Sequence, residues 1–264
     1  MPRGGETRIV AFVTGHAQSV RAAMLLSRAM NATRSMLRNR AIAAVVALLT
    51  LTTACSDLSF GPSQGHHARL RGIRMYFELH GHGSPLLLLH GGAGNGMQFE
   101  KQVPAFEKRH RLIVPDCCGQ GRTSDRTGPL TCHAMAEDMI ALLDHLKIVK
   151  VDIMGWSDGG NIGLDMAMHH PERVNHLVTF GANFQPDGLN PQDVEWNNTA
   201  SADSFGPGMK TGWQKLSPNP ERFEEVMNKI LAMWRAQPNW TLAQLHTIRA
   251  KSLICAGDHD LVRP

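Results

Sequence analysis

Apolar positions along the chain fall into short runs separated by helical stripes. Residues 70–79 alternate apolar with polar, the pattern of a half-buried strand, whereas PLLLLH at 85–90 is a continuous run suited to a central buried strand. Four further short runs are rich in Val, Ile and Leu: RLIVPD (111–116), VKVDIM (149–154), NHLVTF (175–180) and KSLICA (251–256). Residues 131–147 place Met135, Met139, Leu142, Leu143 and Leu146 on one helical face, and a second helix over 158–170 follows a strand at once and stops at His170-Pro171. Strands alternating with helices predict an α/β architecture, a mostly parallel sheet with helices on both faces. The stretch 183–245 breaks the rhythm with Asn, Pro, Asp and Gly clusters, a helix near 221–236, and Trp196, Trp213, Trp234 and Trp240. An insertion between consecutive strands predicts a lid over the carboxyl ends of the sheet, where α/β proteins bind ligands.

Composition adds little to this picture until the charge is located. The 264 residues are 42% hydrophobic and 19% charged, which fits an ordinary globular chain and excludes a disordered or collagen-like one. The net charge of +4 resides at the N-terminus: residues 1–40 hold seven arginines against Glu6 alone, so the remaining 224 residues carry a net −2. A mildly acidic body without a basic stripe or a zinc-finger pattern offers no general footprint for nucleic acid. Behind Arg38 and Arg40 comes the uncharged segment AIAAVVALLTLTTAC (41–55), shorter than the ~20 residues a membrane-spanning helix needs but suited to a signal peptide. Leu51-Thr52-Thr53-Ala54-Cys55 resembles a bacterial lipobox, with Thr52 where leucine is usual, and implies lipidation of Cys55. The expected organisation is a leader at 1–55, with translation starting at Met36, a linker at 56–69 and one domain over 70–264, exported to the periplasm or anchored to a membrane. A cytoplasmic chain, or an organelle transit peptide in residues 1–40, is the rival reading.

The strongest chemical signal is Gly155-Trp156-Ser157-Asp158-Gly159, between the VKVDIM strand and the following helix. In that setting G-x-S-x-G describes a tight turn that presents a serine hydroxyl at the sheet edge, with glycines where neighbouring backbone leaves no room for side chains. The helix behind it aims its dipole and free amides at the reacting centre. Ser157 is therefore the candidate nucleophile.

With this motif the chain resembles the α/β-hydrolase superfamily, over roughly residues 70–264. His90-Gly91-Gly92-Ala93-Gly94 after PLLLLH is similar to the family's oxyanion loop, and the resemblance implies that the Gly92 and Asp158 amides form the oxyanion hole, with Gly91 and Trp156 lining the substrate site. Asp116–Ser124 (DCCGQGRTS) resembles the family loop D-x-R-G-x-G-x-S, with Cys118 in place of arginine, and Gly257-Asp258-His259-Asp260 resembles its acid loop, which implies Asp260 as the triad carboxylate. Gly-Trp-Ser-Asp-Gly-Gly (155–160) with Phe180-Gly181-Ala182-Asn183 is most similar to the biphenyl hydrolase-like subgroup and its bacterial esterase relatives. Dehalogenases and epoxide hydrolases of the superfamily carry aspartate where this chain has Ser157. The resemblance implies a serine hydrolase of carboxylic esters, acting on a small ester-like molecule without a cofactor. A carbon–carbon bond hydrolase and a non-catalytic remnant of the same fold are the alternatives.

A serine needs a histidine to take its proton, and in this family the histidine follows the acid. It is expected roughly 20–30 residues after the acid loop by ordinary element lengths, whereas the sequence given runs to Pro264. The expectation is therefore a fragment short of a last strand, a closing helix and the general base. None of the fourteen histidines substitutes: His259 adjoins the acid, His90 belongs to the oxyanion loop, and His169 and His170 end the helix after Ser157. The pairs His66/His67 and His169/His170, and His80-x-His82, are read as surface histidines and not as metal ligands, because adjacent side chains diverge and no carboxylate or cysteine stands at ligand spacing. Cys117, Cys118, Cys132 and Cys255 are expected as free thiols.

Overall fold

The computed structural model describes residues 65–257 and 259–263. The predicted leader, with Met36 and Cys55, and linker residues 56–64 lie outside the described residues, as does Asp258 of the acid loop. Seven strands form one sheet in the order β1-β2-β4-β3-β5-β6-β7. They are β1 (Gly65–Leu70), β2 (Ile73–His80), β3 (Ser84–Leu89), β4 (His110–Pro115), β5 (Val151–Trp156), β6 (Val174–Phe180) and β7 (Lys251–Cys255). β3 to β7 run parallel, while β1 and β2 are antiparallel additions at one edge. This is the expected α/β-hydrolase fold.

The N-terminal edge differs from the sequence expectation. Residues 65–69, predicted as linker, belong to β1, and the single strand expected over 70–79 is instead a hairpin pairing Leu70 with Ile73. Its loop is Arg71-Gly72, both at positive φ (47° and 84°), the backbone that two-residue hairpins use to match strand twist. The cause of the miss is physical: β1 is an edge strand in which only Ala68 is buried, so GHHARL carries no apolar periodicity.

The leucine run behaves as a doubly covered strand. Leu87 and Leu89 face one core with Ile113, Ile153 and Leu177, while Leu86 and Leu88 face a second core with Phe99, Leu112 and Val114. Helix α1 (Val103–Phe106) covers the smaller core; α2 (Cys132–His145) and α3 (Asp158–His169) cover the larger. Thr131 caps α2 by accepting the Ala134 N–H at 2.9 Å, and Met135, Met139, Leu142 and Leu143 are fully buried on the predicted face.

Between β6 and β7 lies the insertion, with helices α4 (Pro191–Thr199), α5 (Gly206–Leu216), α6 (Phe223–Ala236) and α7 (Leu242–Leu245) joined by short 3-10 turns. α6 is amphipathic and buries Val226, Met227, Ile230 and Met233 in the larger core. Its polar side is pinned as well. Lys229 Nζ donates to Asp125 Oδ2 at 2.7 Å and to the Arg126 carbonyl at 2.9 Å, and Arg222 pairs with Asp125 at 2.9 Å. No helix among the described residues is long and apolar enough to cross a membrane.

Candidate active site

Ser157 stands at the junction of β5 and α3 with φ 53° and ψ −119°, a backbone conformation that favours glycine and is strained for a serine. The junction is held by its own backbone: the Ser157 N–H donates to Phe180 O at 2.8 Å, and the Asn161 N–H donates to Ser157 O at 3.0 Å. Both motif glycines are sterically required. A Cβ on Gly155 would stand 2.2 Å from Gly159 O, and one on Gly159 would stand 2.0 Å from Leu89 O. The side chain of Ser157 is thereby left half-buried at the carboxyl edge of the sheet.

The structure brings the predicted oxyanion loop to this serine. Gly91 is buried so closely that an added Cβ would lie 3.5 Å from Ser157 Cβ and 3.5 Å from Trp156 O. The loop is held by the Gly91 N–H donating to Gln98 Oε1 at 2.9 Å and the Gly94 N–H donating to Gly91 O at 3.1 Å. Gly92 packs on the Asp158 carboxylate, where a Cβ would meet Oδ2 at 2.2 Å. His90 is buried with both ring nitrogens committed: Nε2 accepts the Cys117 N–H at 2.9 Å, which leaves Nδ1 to donate to Gly91 O at 2.8 Å. Burial lowers its pKa, so it is a neutral strut of the loop.

Asp158, expected to act through its backbone amide, also has a side chain committed within the site. The residue is buried, 5% exposed, and its partner comes from the insertion: Trp234 Nε1–H, on α6, donates to Oδ1 at 2.9 Å and Oδ2 at 2.8 Å. Burial pushes the Asp158 pKa up to about 6, and the indole donor opposes the rise. The tryptophan cluster at 183–245 hinted at this contact without revealing which ring makes it. Trp213 and Trp240 are buried, Trp196 is largely exposed, and Trp234 reaches the serine elbow. Trp156 is 48% exposed at the end of β5, an apolar surface beside Ser157.

Asp260 follows β7 and lies against the adjoining strand end. Its carboxylate accepts the Leu261 N–H at 2.7 Å and the Gly257 N–H at 3.1 Å, and a Cβ on Gly181 would approach Oδ2 to 3.1 Å. Gly181 directly follows Phe180, whose carbonyl holds the Ser157 amide, so the end of β6 stands between the candidate nucleophile after β5 and the candidate acid after β7. An open groove of about 680 Å³ runs past Asp260, lined also by Asn190, Asp193, Gly257 and His259; Ser157 is not among its lining residues. The histidine partners seen in the structure lie elsewhere: His80 meets Glu78, His133 and His169 meet Asp165, His170 meets Glu137, and His176 meets Asp152.

The loop after β4 supports the site from below. Asp116, fully buried, accepts the Gly96 N–H at 2.7 Å and the Arg122 N–H at 2.8 Å, while Arg122 Nε donates to it at 2.7 Å. Cys118, which replaces the usual arginine of the family loop, accepts from Arg126 Nε at 3.2 Å, so a guanidinium from four residues beyond Arg122 reaches it; the same side chain pairs with buried Asp138. All four described cysteines are free.

Similarity to known proteins follows the same outline. The chain is 35% identical over 115 residues to a putative carbamate hydrolase, RutD, of Azorhizobium caulinodans, covering 44% of this chain and 43% of that protein. It is 34% identical over 127 residues to a 2-hydroxymuconate semialdehyde hydrolase of a Pseudomonas species, covering 46% and 44%. The matches thus span about half the length of these curated relatives. Among solved structures, a hydrolase from Pseudomonas aeruginosa superposes with a TM-score of 0.59 at 23% identity, over 75% of this chain and 82% of that one. The alpha/beta hydrolase fold family model matches residues 84–260, well over half of the 264, and the chain therefore belongs to the alpha/beta hydrolase fold family.

Proposed function

We propose that the protein is a serine hydrolase of carboxylic esters that works through an acyl-enzyme intermediate. The observation that carries this reading is the strained Ser157 turn, a positive-φ backbone that costs a serine stability at the carboxyl edge of the sheet. Ser157 Oγ attacks the substrate carbonyl while its proton passes to a histidine, which Asp260 orients through the carboxylate. The Gly92 and Asp158 backbone N–H groups hold the oxyanion of the tetrahedral intermediate. Its collapse expels the alcohol, which takes the proton back from the histidine; water then enters by the same route in reverse and releases the acid. Gly91 and exposed Trp156 border the substrate, and the helices of 183–245 shape its pocket.

Carbon–carbon bond cleavage is the second reading, supported by the likeness to the muconate semialdehyde hydrolase. In the full-length protein a fluorophosphonate probe is expected to label Ser157, and short acyl esters are expected to turn over faster than vinylogous 1,5-diketones. The reverse preference favours the second reading. Absence of both labelling and turnover overturns the assignment and leaves a non-catalytic binding protein. We further propose export through the N-terminal leader with lipid attached at Cys55; globomycin-sensitive processing of the native protein is the expected result, and an intact N-terminus at Met1 would refute it.

A further inference from the structure

We propose that His133, Asp165 and His169 form a binding site for a divalent transition-metal ion on the outer face of the α2–α3 pair. The expectation of surface histidines rests on the divergence of His169 from His170 and on the lack of a carboxylate or cysteine at ligand spacing. Asp165, four residues before His169 on the same helix face, corrects the second ground, and the structure adds His133 from the first turn of α2. His133 Nδ1 lies 2.9 Å and His169 Nδ1 lies 3.1 Å from one and the same oxygen, Asp165 Oδ1. The three ligand atoms fall within 4.8 Å of one another. A tetrahedral ion with bonds of ~2.0–2.1 Å requires ligand atoms ~3.3 Å apart, so small side-chain rotations open this cluster to accept one.

Burial and ligand chemistry point the same way. The Asp165 side chain is 3% exposed, whereas His133 and His169 are 56% and 45% exposed. The buried carboxylate oxygen already gathers two ring nitrogens, and a divalent ion seated among the three atoms would hold them together by coordination. The exposed imidazoles give the ion a way in from solvent and leave its outer positions to water. Two imidazoles and a carboxylate, with no thiolate, suit zinc, nickel, copper or cobalt and disfavour calcium and magnesium, which take oxygen ligands. Neighbouring His170 is drawn aside by Glu137 at 2.5 Å and supplies an internal control. Asp165 and His169 lie eight and twelve residues beyond Ser157, about 12–18 Å along the helix, so the proposal stands independently of the hydrolase reading.

The ion would clamp α2 to α3, because it bridges one ligand on the first helix to two on the second. The test uses the full chain without a histidine tag, stripped of metal and titrated with cobalt(II), followed by visible absorption and by melting temperature. One equivalent of saturable cobalt absorption is expected, with Tm rising by ~5–10 °C at a hundredfold excess over Kd. His133→Gln, Asp165→Asn and His169→Gln should each abolish the site, and His170→Gln should leave it intact. His133→Gln alters an exposed side chain and keeps the test valid if the Asp165 variant fails to fold. Failure of wild-type protein to bind cobalt, nickel or zinc, or saturable binding unchanged in His133→Gln, would overturn the proposal.

Discussion

At the scale of single residues, the site stores its cost in two places, a strained backbone and a buried charge. Ser157→Gly relieves a positive φ that only glycine tolerates freely, and should stabilise the fold by ~1 kcal/mol while abolishing turnover, measured by urea unfolding beside an ester assay. Asp158 has the opposite character, a carboxyl whose pKa burial raises to about 6 from an ordinary 3.8. As pH rises from about 4 to 6, the unfolded chain releases this proton before the folded one does. Stability contributed by this group therefore falls through that window, and the penalty is fully present above pH 6. Asp158→Asn should consequently gain roughly 3 kcal/mol at pH 8 and almost nothing at pH 4, as compared by melts at the two values. A uniform effect at both would mean that the asparagine acts through packing and not through charge. Gly159→Ala belongs at this scale too: its methyl would stand 2.0 Å from Leu89 O, and a loss of ~3 kcal/mol or more is expected in denaturant titration.

At the scale of elements, α6 is the part of the insertion that touches the site. It buries one face in the core, anchors its other side to Asp125, and extends Trp234 to Asp158. Trp234→Phe keeps an aromatic ring but removes the N–H and part of the indole's bulk, leaving the buried carboxylate without its donor; only the pH-dependent part of the loss reports on that donor. The expected cost is ~1–3 kcal/mol above pH 6, where Asp158 is ionised, fading at pH 5 as the group takes up a proton. Unfolding curves at pH 5 and pH 8 check this, and equal losses at both would detach Trp234 from the charge of Asp158. Strand β1 shows the converse situation, an element with almost no pattern of its own. It is aligned on the alternating β2 by a two-residue turn, and β2 in turn by pairing with β4, contacts that no local reading of GHHARL contains.

At the scale of the whole molecule, Asp116 links parts that are far apart in sequence. Through Gly96 it holds the segment after the oxyanion loop, and through Arg122, which also pairs with Glu78 at 2.8 Å and stacks on Tyr76 at 3.7 Å, it holds strand β2. Asp116→Ala should cost about 3–5 kcal/mol, since it leaves the Arg122 guanidinium and the Gly96 amide without their acceptor. It should also lower kcat through the displaced loop, in a steady-state ester assay run below the melting temperature. Unchanged kcat in a folded variant would mean that Gln98, His90 and the Gly94–Gly91 turn hold the oxyanion loop without Asp116.

The sequence by itself determined the local chemistry: the strand runs, the two flanking helices, the inserted segment, and the glycines around Ser157. Most of these depend on neighbours within a few positions, where steric limits and periodicity act directly on residue order, as Gly155 does on Gly159; Gly159 itself is legible as part of the motif, although the atom that forbids its side chain is the distant Leu89 O. The sheet order, the edge hairpin, the Trp234–Asp158 contact, the Arg126 guanidinium behind Cys118 and the convergence of His133 on Asp165 were decided only by the tertiary structure. The three side-chain contacts join residues 8, 32 and 76 positions apart, and a pattern read along one segment carries no information about what folds against it. The Asp165–His169 spacing lay in plain view on a helix; it lacked meaning until a second helix placed an imidazole against the same oxygen.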